Sequence, residues 1–177
     1  VTTWFQDRVI TEMNYSYSLH ACPLGELLLV ATEQALTEVH LRHGKHVPLL
    51  DEAWTKADDH QILSLAKTEL DAYFAGQLQG FTVPIEPVGT PFQQRAWSAL
   101  LQIPFGETRT YAEQASSLGK PTATRAVGAA NGKNPICIIV PCHRVIGSNG
   151  SLTGYAGGVD AKRTLLALEA AARPNAG

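Results

Sequence analysis

Pro84-Ile85-Glu86-Pro87-Val88-Gly89-Thr90-Pro91-Phe92-Gln93 is the stretch whose reading divides the chain in two. Pro84, Pro87, Gly89 and Pro91 stop regular structure, because proline removes a backbone donor and fixes φ. The same stretch then starts a helix. Thr90 stands as N-cap, Pro91 at the first helical position and Gln93 where it closes a capping box. Two domains are expected to meet here, over residues 1–86 and 87–177.

Upstream of this break, Gly25-Glu26-Leu27-Leu28-Leu29-Val30 and Leu36-Thr37-Glu38-Val39-His40-Leu41 read as short strands separated by polar or breaker residues. They predict a small antiparallel sheet. From about Asp59 to Phe74 the apolar residues Ile62, Leu63, Ala66, Leu70, Tyr73 and Phe74 recur at helical spacing, and Gly76 stands at the C-terminal end. One helix can therefore cover the sheet. Downstream of the break helices dominate, so the class is α+β. The chain carries no internal repeat and no low-complexity tract.

A length of 177 residues with 45% hydrophobic and 17% charged content is that of a globular protein with a core large enough to fold without staples. Cys22, Cys137 and Cys142 are odd in number and widely spaced, which disfavours a disulfide framework and points to a reducing, cytoplasmic setting. Val1-Thr2-Thr3-Trp4-Phe5-Gln6-Asp7-Arg8 has no leader pattern, and no apolar run approaches the roughly 18 residues that span a bilayer. The net charge of −2 hides an asymmetry. Residues 1–87 hold 5 Lys+Arg against 12 Asp+Glu, and residues 88–177 hold 9 against 4. The second part alone, at +5, can meet a polyanion.

Within that positive part, Thr110-Tyr111-Ala112-Glu113 has capping-box spacing and opens a short helix to about Leu118. Gly119-Lys120-Pro121 stops it, and a second helix begins near Thr122. Helix, tight turn, helix is either ordinary packing or a DNA-binding unit. The second helix, Thr122-Ala123-Thr124-Arg125-Ala126-Val127-Gly128-Ala129-Ala130-Asn131, offers one long cation and otherwise small side chains. That is too little for base-sequence readout. Small side chains let a helix approach either a widened minor groove or a neighbouring helix.

Ile136-Cys137-Ile138-Ile139-Val140 reads as a short buried strand that Pro141 ends. Cys137 and Cys22 are read as small buried hydrophobes. Cys142 differs, because His143 and Arg144 follow it, and a nearby base or positive charge favours the thiolate that acts as nucleophile. In an extended chain His143 would face away from Cys142 and act through a turn or a bridging water. Farther on, Asp160 can cap a helix on which Lys162, Leu165, Leu168, Glu169 and Ala172 share a face. Glu169 then either orients His143 in a Cys-His-Glu relay or pairs with Lys162 or solvent. The glycine-rich segment Gly147–Gly158 either approaches a ligand or forms ordinary turns. His40, His43 and His46 read as a polar loop, since their spacing is poor for zinc.

Pro141-Cys142-His143-Arg144-Val145, Arg125-Ala126-Val127-Gly128, Asn134-Pro135, Phe105-Gly106-Glu107 with Tyr111, Gly154-Tyr155-Ala156-Gly157-Gly158 and Leu165-Leu166-Ala167-Leu168-Glu169 together resemble one family. It is the O6-alkylguanine-DNA alkyltransferases. The resemblance is dense after residue 87 and looser before it, through Pro23-Leu24-Gly25. It implies a ribonuclease-H-like N-terminal domain and a C-terminal domain with a helix-turn-helix. It also implies repair of DNA by single-turnover transfer of the alkyl group from O6-alkylguanine, and possible action on O4-alkylthymine, to the protein's own cysteine.

By that resemblance Cys142 is the acceptor, His143 assists its deprotonation through water, Glu169 orients His143 and Asn134 braces the active-site turn. Tyr111 turns the target phosphate and contacts the base, and Lys162 stabilises the departing guanine. Arg125 fills the gap left by the extruded base, with Thr122, Ala123, Ala126 and Ala129 completing the DNA-facing surface. Val145, Tyr155, Ala156 and Gly157 form the base pocket. Ala156 stands where the family often has serine, so a backbone contact survives and a hydroxyl contact does not. The implied partner is double-stranded DNA carrying the lesion, with no cofactor, membrane or obligate protein partner, and clustering on DNA stays open. Zinc-holding members use Cys and His ligands in the N-terminal domain. Thr32 and Thr37 stand at two of those positions here, so no structural zinc is expected.

Three rival functions follow from the same residues. A non-catalytic lesion binder that recruits other repair factors would not need Cys142. A transcriptional regulator would need a base-reading helix or a second module. A Cys-His hydrolase would need an oxyanion site and a substrate groove that no segment identifies.

Overall fold

A computed structural model of the chain describes residues 13–173. The opening segment, residues 1–8, on which the absence of a leader was read, lies outside the described residues. Strands β1 (Ser16–Cys22), β2 (Gly25–Ala31) and β3 (Leu36–Leu41) form an antiparallel meander. A fourth short strand, β4 (Thr55–Lys56), adds to the free edge of β1 in parallel, giving the order β3-β2-β1-β4. The sheet is thus mixed rather than wholly antiparallel. Two residues without apolar alternation are too few to reveal a strand or its direction from sequence.

Helix α1 (Gln61–Phe74) packs against β1, β2 and β3 through Leu63, Ala66, Leu70 and Tyr73. It starts two residues later than its apolar spacing suggests, because the His60 side chain accepts from Leu63 N and caps it. Gly76, at φ +74°, occupies the left-handed position just past the end. In the linker, Leu36 N bonds Pro84 O and Glu86 N bonds Leu36 O, so the proline-rich segment is stitched to β3.

Helix α2 (Pro91–Leu100) has the expected capping box at Thr90 and Gln93, with proline at its start. After it come β5 (Arg109–Thr110), α3 (Tyr111–Ser117), α4 (Thr124–Gly132), a 3₁₀ turn (Cys142–Arg144), β6 (Val145–Ile146) and α5 (Val159–Ala172). Strands β5 and β6 pair in parallel. The Thr110–Glu113 capping box is also present. Helix α4 begins at Thr124, so Thr122 and Ala123 lie in the preceding turn. Gly158, not Asp160, occupies the N-cap of α5, and Asp160 instead pairs with Arg163 in the exposed first turn.

Helices α3 and α4 are locked by paired amides. Asn131 Nδ2 donates to Gln114 Oε1 at 2.7 Å, and Gln114 Nε2 donates to Asn131 Oδ1 at 3.0 Å. Trp97 Nε1 donates to Ala130 O at 2.9 Å and ties α2 to the same unit. All these groups are buried, where an unpaired amide would be costly. Among the described residues one apolar core extends from Leu27, Leu41 and Leu63 to Trp97, Ile136 and Leu165.

Candidate active site

The segment Ile136–Val140 is not a strand. Only Ile136 bridges to β3, opposite Val39, and the chain then turns sharply with Ile138 at φ +72°. A β-branched residue in the left-handed region is strained and persists only where its surroundings hold it. Two observed features hold it. Val39 N bonds Pro135 O and Cys137 N bonds Val39 O, which anchors the turn to the N-terminal sheet. Asn134 spans the turn from inside: its Oδ1 accepts from Ile136 N at 3.0 Å, and its Nδ2 donates to Val140 O at 2.8 Å. The apolar run looked like a strand because it is buried, and burial alone does not specify backbone direction.

The turn delivers Cys142, whose Sγ lies 3.2 Å from Asn134 Nδ2. The thiol is buried, and that burial raises its pKa above the usual value, against the opposing effects of Asn134 and the Lys162 charge. This corrects the expectation that its two neighbours would lower it. His143 and Arg144 do not face the sulfur with free charge, because both reach Glu169. The resting group is therefore a thiol, and forming the thiolate requires a base.

His143 is fully buried, and its Nε2 lies 2.7 Å from Glu169 Oε1. Burial lowers the imidazole pKa, partly offset by Glu169, so the ring is neutral at rest. Glu169 is also buried, which by itself raises its pKa, but His143 and Arg144 outweigh this and hold it down to about 2. The carboxylate is thus ionised, Nε2 carries the hydrogen it donates, and Nδ1 keeps its lone pair. Nδ1 has no partner among the described residues. The extended geometry assumed from sequence gives way to a 3₁₀ turn, which places His143 and Cys142 on one compact bend.

Glu169 gathers more donors than spacing suggested. Arg144 Nε donates to Oε2 and Arg144 Nη2 to Oε1, each at 2.9 Å. Gly106 N donates to Oε2 at 3.2 Å, and Tyr73 Oη to Oε1 at 2.8 Å. Lys162 is not among them. Its ammonium donates to Val145 O at 2.6 Å and Thr153 O at 3.1 Å, joining β6 to the glycine-rich loop. Tyr111, at the start of α3, donates to that same Thr153 O at 3.0 Å. The Lys162 ammonium sits 5.8 Å from the Tyr111 ring centroid.

Val145 and Tyr155 are buried, while Ala156 and Gly157 are half-buried. This loop rests on the turn that follows β3. Lys45 N donates to Ala156 O at 2.8 Å, and a Cβ on Gly44 would lie 2.9 Å from that oxygen. Gly44 is thus required by close approach. Sequence reading missed Gly44, Lys45, Val39 and Tyr73. For Tyr73 a signal existed, since a tyrosine on a buried helix face needs a partner for its hydroxyl.

Arg125, Ala126 and Ala129 are exposed on α4, with Val127, Ala130 and Asn131 buried on its other side. The small-residue face is therefore open rather than packed on another helix. Thr122 is exposed and Ala123 half-buried in the turn before it. Cys137 is buried as expected and Cys22 only half-buried. His40 belongs to β3, where it pairs with Glu38, while His43 and His46 lie in the following loop. At the two threonines, Thr37 Oγ1 donates to Val30 O, and Thr32 Oγ1 accepts from Ala35 N. A groove of about 800 Å³ between α2 and α3 lies apart from Cys142. A smaller cavity of about 430 Å³ reaches Ile139, Pro141 and Arg144 behind the turn.

Comparison with known proteins bears on this geometry. Residues 15–87 match the 6-O-methylguanine DNA methyltransferase, ribonuclease-like domain, and residues 91–171 match the DNA binding domain of the same family. The chain is 49% identical over 153 residues to the methylated-DNA--protein-cysteine methyltransferase of Methanosarcina acetivorans, covering 86% of this chain and 97% of that protein. It is 51% identical over 152 residues to the protein of that name in Mycobacterium tuberculosis, covering 86% and 90%. A crystal structure of Mycobacterium tuberculosis OGT in complex with DNA superposes with a TM-score of 0.82 at 47% identity, covering 92% of this chain and 96% of that one.

Proposed function

The chain belongs to the 6-O-methylguanine DNA methyltransferase family, and from that premise we propose that Cys142 is the residue that accepts the alkyl group. The protein repairs DNA by direct transfer of an alkyl group to itself, the activity of a methylated-DNA--protein-cysteine methyltransferase, and its partner is DNA. Relatives of that name at about half identity count against a purely non-catalytic lesion binder.

The observation that carries the assignment of Cys142 is its company: a buried thiol beside Asn134, next to a histidine whose Nε2 is bound to a buried carboxylate and whose buried Nδ1 has no partner among the described residues. The thiol proton passes to His143 Nδ1 by way of one bridging water, and Glu169 stabilises the imidazolium that forms. The sulfur attacks the alkyl carbon of O6-alkylguanine. A C–S bond forms, the C–O6 bond breaks with its electrons going to guanine, and guanine leaves with the proton that Cys142 gave up. The thioether is too poor a leaving group to return, so one molecule repairs one lesion.

Asn134 steadies the turn that carries the nucleophile. Lys162, whose ammonium is fixed between Val145 O and Thr153 O beside Tyr111, stabilises the negative charge that develops on the departing guanine. Tyr111 turns the target nucleotide. Arg125 enters the duplex from the open face of α4, and Thr122, Ala123, Ala126 and Ala129 lie against the minor groove, where their size permits close approach. Val145, Tyr155, Ala156 and Gly157 line the pocket. O4-alkylthymine remains within this proposal as a second substrate. We place the domain boundary between residues 86 and 87, and the protein in the cytoplasm, where the three free cysteines stay reduced. Among the described residues no helix is long and apolar enough to cross a membrane.

The test is direct. Incubated with duplex DNA carrying O6-methylguanine, the protein gains one methyl on the peptide containing Cys142, read by mass spectrometry. An unmodified Cys142 peptide after the lesion has been repaired would sink the assignment. Cys142→Ala keeps duplex binding and loses transfer.

A further inference from the structure

One donor to Glu169 comes from the other half of the chain, and none of the roles above uses it. Tyr73 sits on α1, fully buried, its ring against Phe74, Phe81 and Phe105. That cage is apolar and would hold a phenylalanine ring equally well. The hydroxyl reaches out of it to Glu169 Oε1 at 2.8 Å, the same oxygen that accepts from His143 Nε2 at 2.7 Å.

The other groups around the carboxylate are charged or come from the backbone. Arg144, from the 3₁₀ turn, balances its charge and donates to both oxygens, Nε to Oε2 and Nη2 to Oε1, while Gly106 N, from the loop after α2, anchors Oε2. Lys162, on α5 itself, acts on His143 only by its charge. Arg173 and Glu107 form their own pair at 3.7 Å beside that loop. Tyr73 is thus a neutral side-chain donor on the oxygen that faces His143. A hydrogen bond to a carboxylate oxygen makes it a weaker acceptor for every other donor, so Tyr73 limits the pull of Glu169 on the imidazole.

We propose that Tyr73 is a positioning residue for alkyl transfer: from the N-terminal domain, its hydroxyl on Glu169 Oε1 sets the pH range in which His143 Nδ1 can take the Cys142 proton. This rests on the roles given above to Cys142, His143 and Glu169. Without the Tyr73 hydroxyl, Glu169 attracts the imidazolium more strongly, and His143 holds a proton at higher pH. A protonated His143 cannot act as the base.

The experiment compares the full-length protein with Tyr73→Phe for single-turnover methyl transfer from duplex O6-methylguanine between pH 4.5 and 9, following the mass of the Cys142 peptide. The acid side of the variant's profile moves to higher pH by about half a unit to one unit, a part of the roughly one to two units that a hydrogen bond to a charged group is worth, because Tyr73 acts on His143 through Glu169. In a Glu169→Gln background, Tyr73→Phe has no further effect on the profile. A purely structural role would lower thermal stability in both backgrounds without moving the profile. If Tyr73→Phe does not fold, 3-fluorotyrosine at position 73 keeps the ring, donates more strongly and moves the acid side to lower pH. Profiles that superimpose on wild type, in whichever variant folds, would overturn the role of Tyr73. No methyl on wild-type Cys142 would instead overturn the underlying assignment, and the role of Tyr73 with it.

Discussion

The cluster around Glu169 and the outer face of α4 are both polar parts of the C-terminal half, yet they are built on opposite terms. Glu169, His143, Arg144 and Tyr73 are all buried, with nearly every donor and acceptor matched inside the protein. Arg125, Ala126 and Ala129 are exposed and have little to hold. Proton transfer gains from a dry, preorganised setting in which each hydrogen bond is strong. A surface proposed to face DNA must instead stay open until the duplex arrives. Stability therefore depends on the first region and hardly at all on the second, although the proposed function draws on both.

The sharpest way to break this contrast is to remove the carboxylate. Glu169→Ala leaves the Arg144 charge and the Tyr73 hydroxyl buried without their partner, and unfolding free energy should drop by about 3–5 kcal/mol. Urea denaturation checks this, and a loss under about 1 kcal/mol would mean the cluster is wetter than its geometry indicates.

Acid attacks the same cluster without a mutation. The folded Glu169 pKa of about 2 lies below the ordinary 4.5, so its contribution is present above about 4.5 and is lost as pH falls from there through about 2. The loss is of the order of 3 kcal/mol. His143 acts in the same direction. Its folded pKa is also depressed, so stability already declines as pH drops below the ordinary value of 6.5. Thermal unfolding from pH 8 to pH 3 should show a decline that Glu169→Gln flattens at its acid end.

Between the two regions lies the glycine-rich loop proposed to line the base pocket, pinned to the turn after β3. In Gly44→Ala the new methyl would sit 2.9 Å from Ala156 O. About 1–3 kcal/mol of strain, or a shifted loop, is the expected result. A shifted loop should slow reaction with free O6-benzylguanine while leaving binding to unmodified duplex intact. Equal losses in both would place the loop outside the base pocket.

Arg125→Ala is the smallest change for the fold, within about 0.5 kcal/mol, as is usual for exposed positions. Its effect belongs to the duplex. Repair of O6-methylguanine in duplex DNA should fall by about tenfold or more, the cost of losing an inserted side chain, while reaction with the free base stays near wild type. Equal slowing on both substrates would move Arg125 from the DNA face into the pocket.

Local features were the readable ones. The two capping boxes, the proline start of α2, the glycine after α1 and the strands β2 and β3 each depend on residues within a few positions of one another. The burial of Glu169 on a mostly apolar helix face was readable too, since periodicity places residues on faces. Its partner was not, because periodicity does not say what lies opposite. The Ile136–Val140 run failed as a strand for a related reason. Its apolar content reports burial, while its path is set by Asn134 from one side and Val39 from the other.

By its sequence alone the chain determined that a proline-rich break separates a sheet-bearing part from a helical, positively charged one, and that Cys142 is the cysteine with chemical company. These follow from composition and from contacts along the chain. Only the tertiary structure decided how that company is arranged. It turned Arg144 and His143 toward Glu169, left Nδ1 buried without a partner among the described residues, raised the thiol pKa instead of lowering it, and brought Tyr73 to the carboxylate across 96 residues. Hydrogen bonds between distant segments and the exclusion of water exist only once the chain has folded, and those two effects set the protonation states at this site.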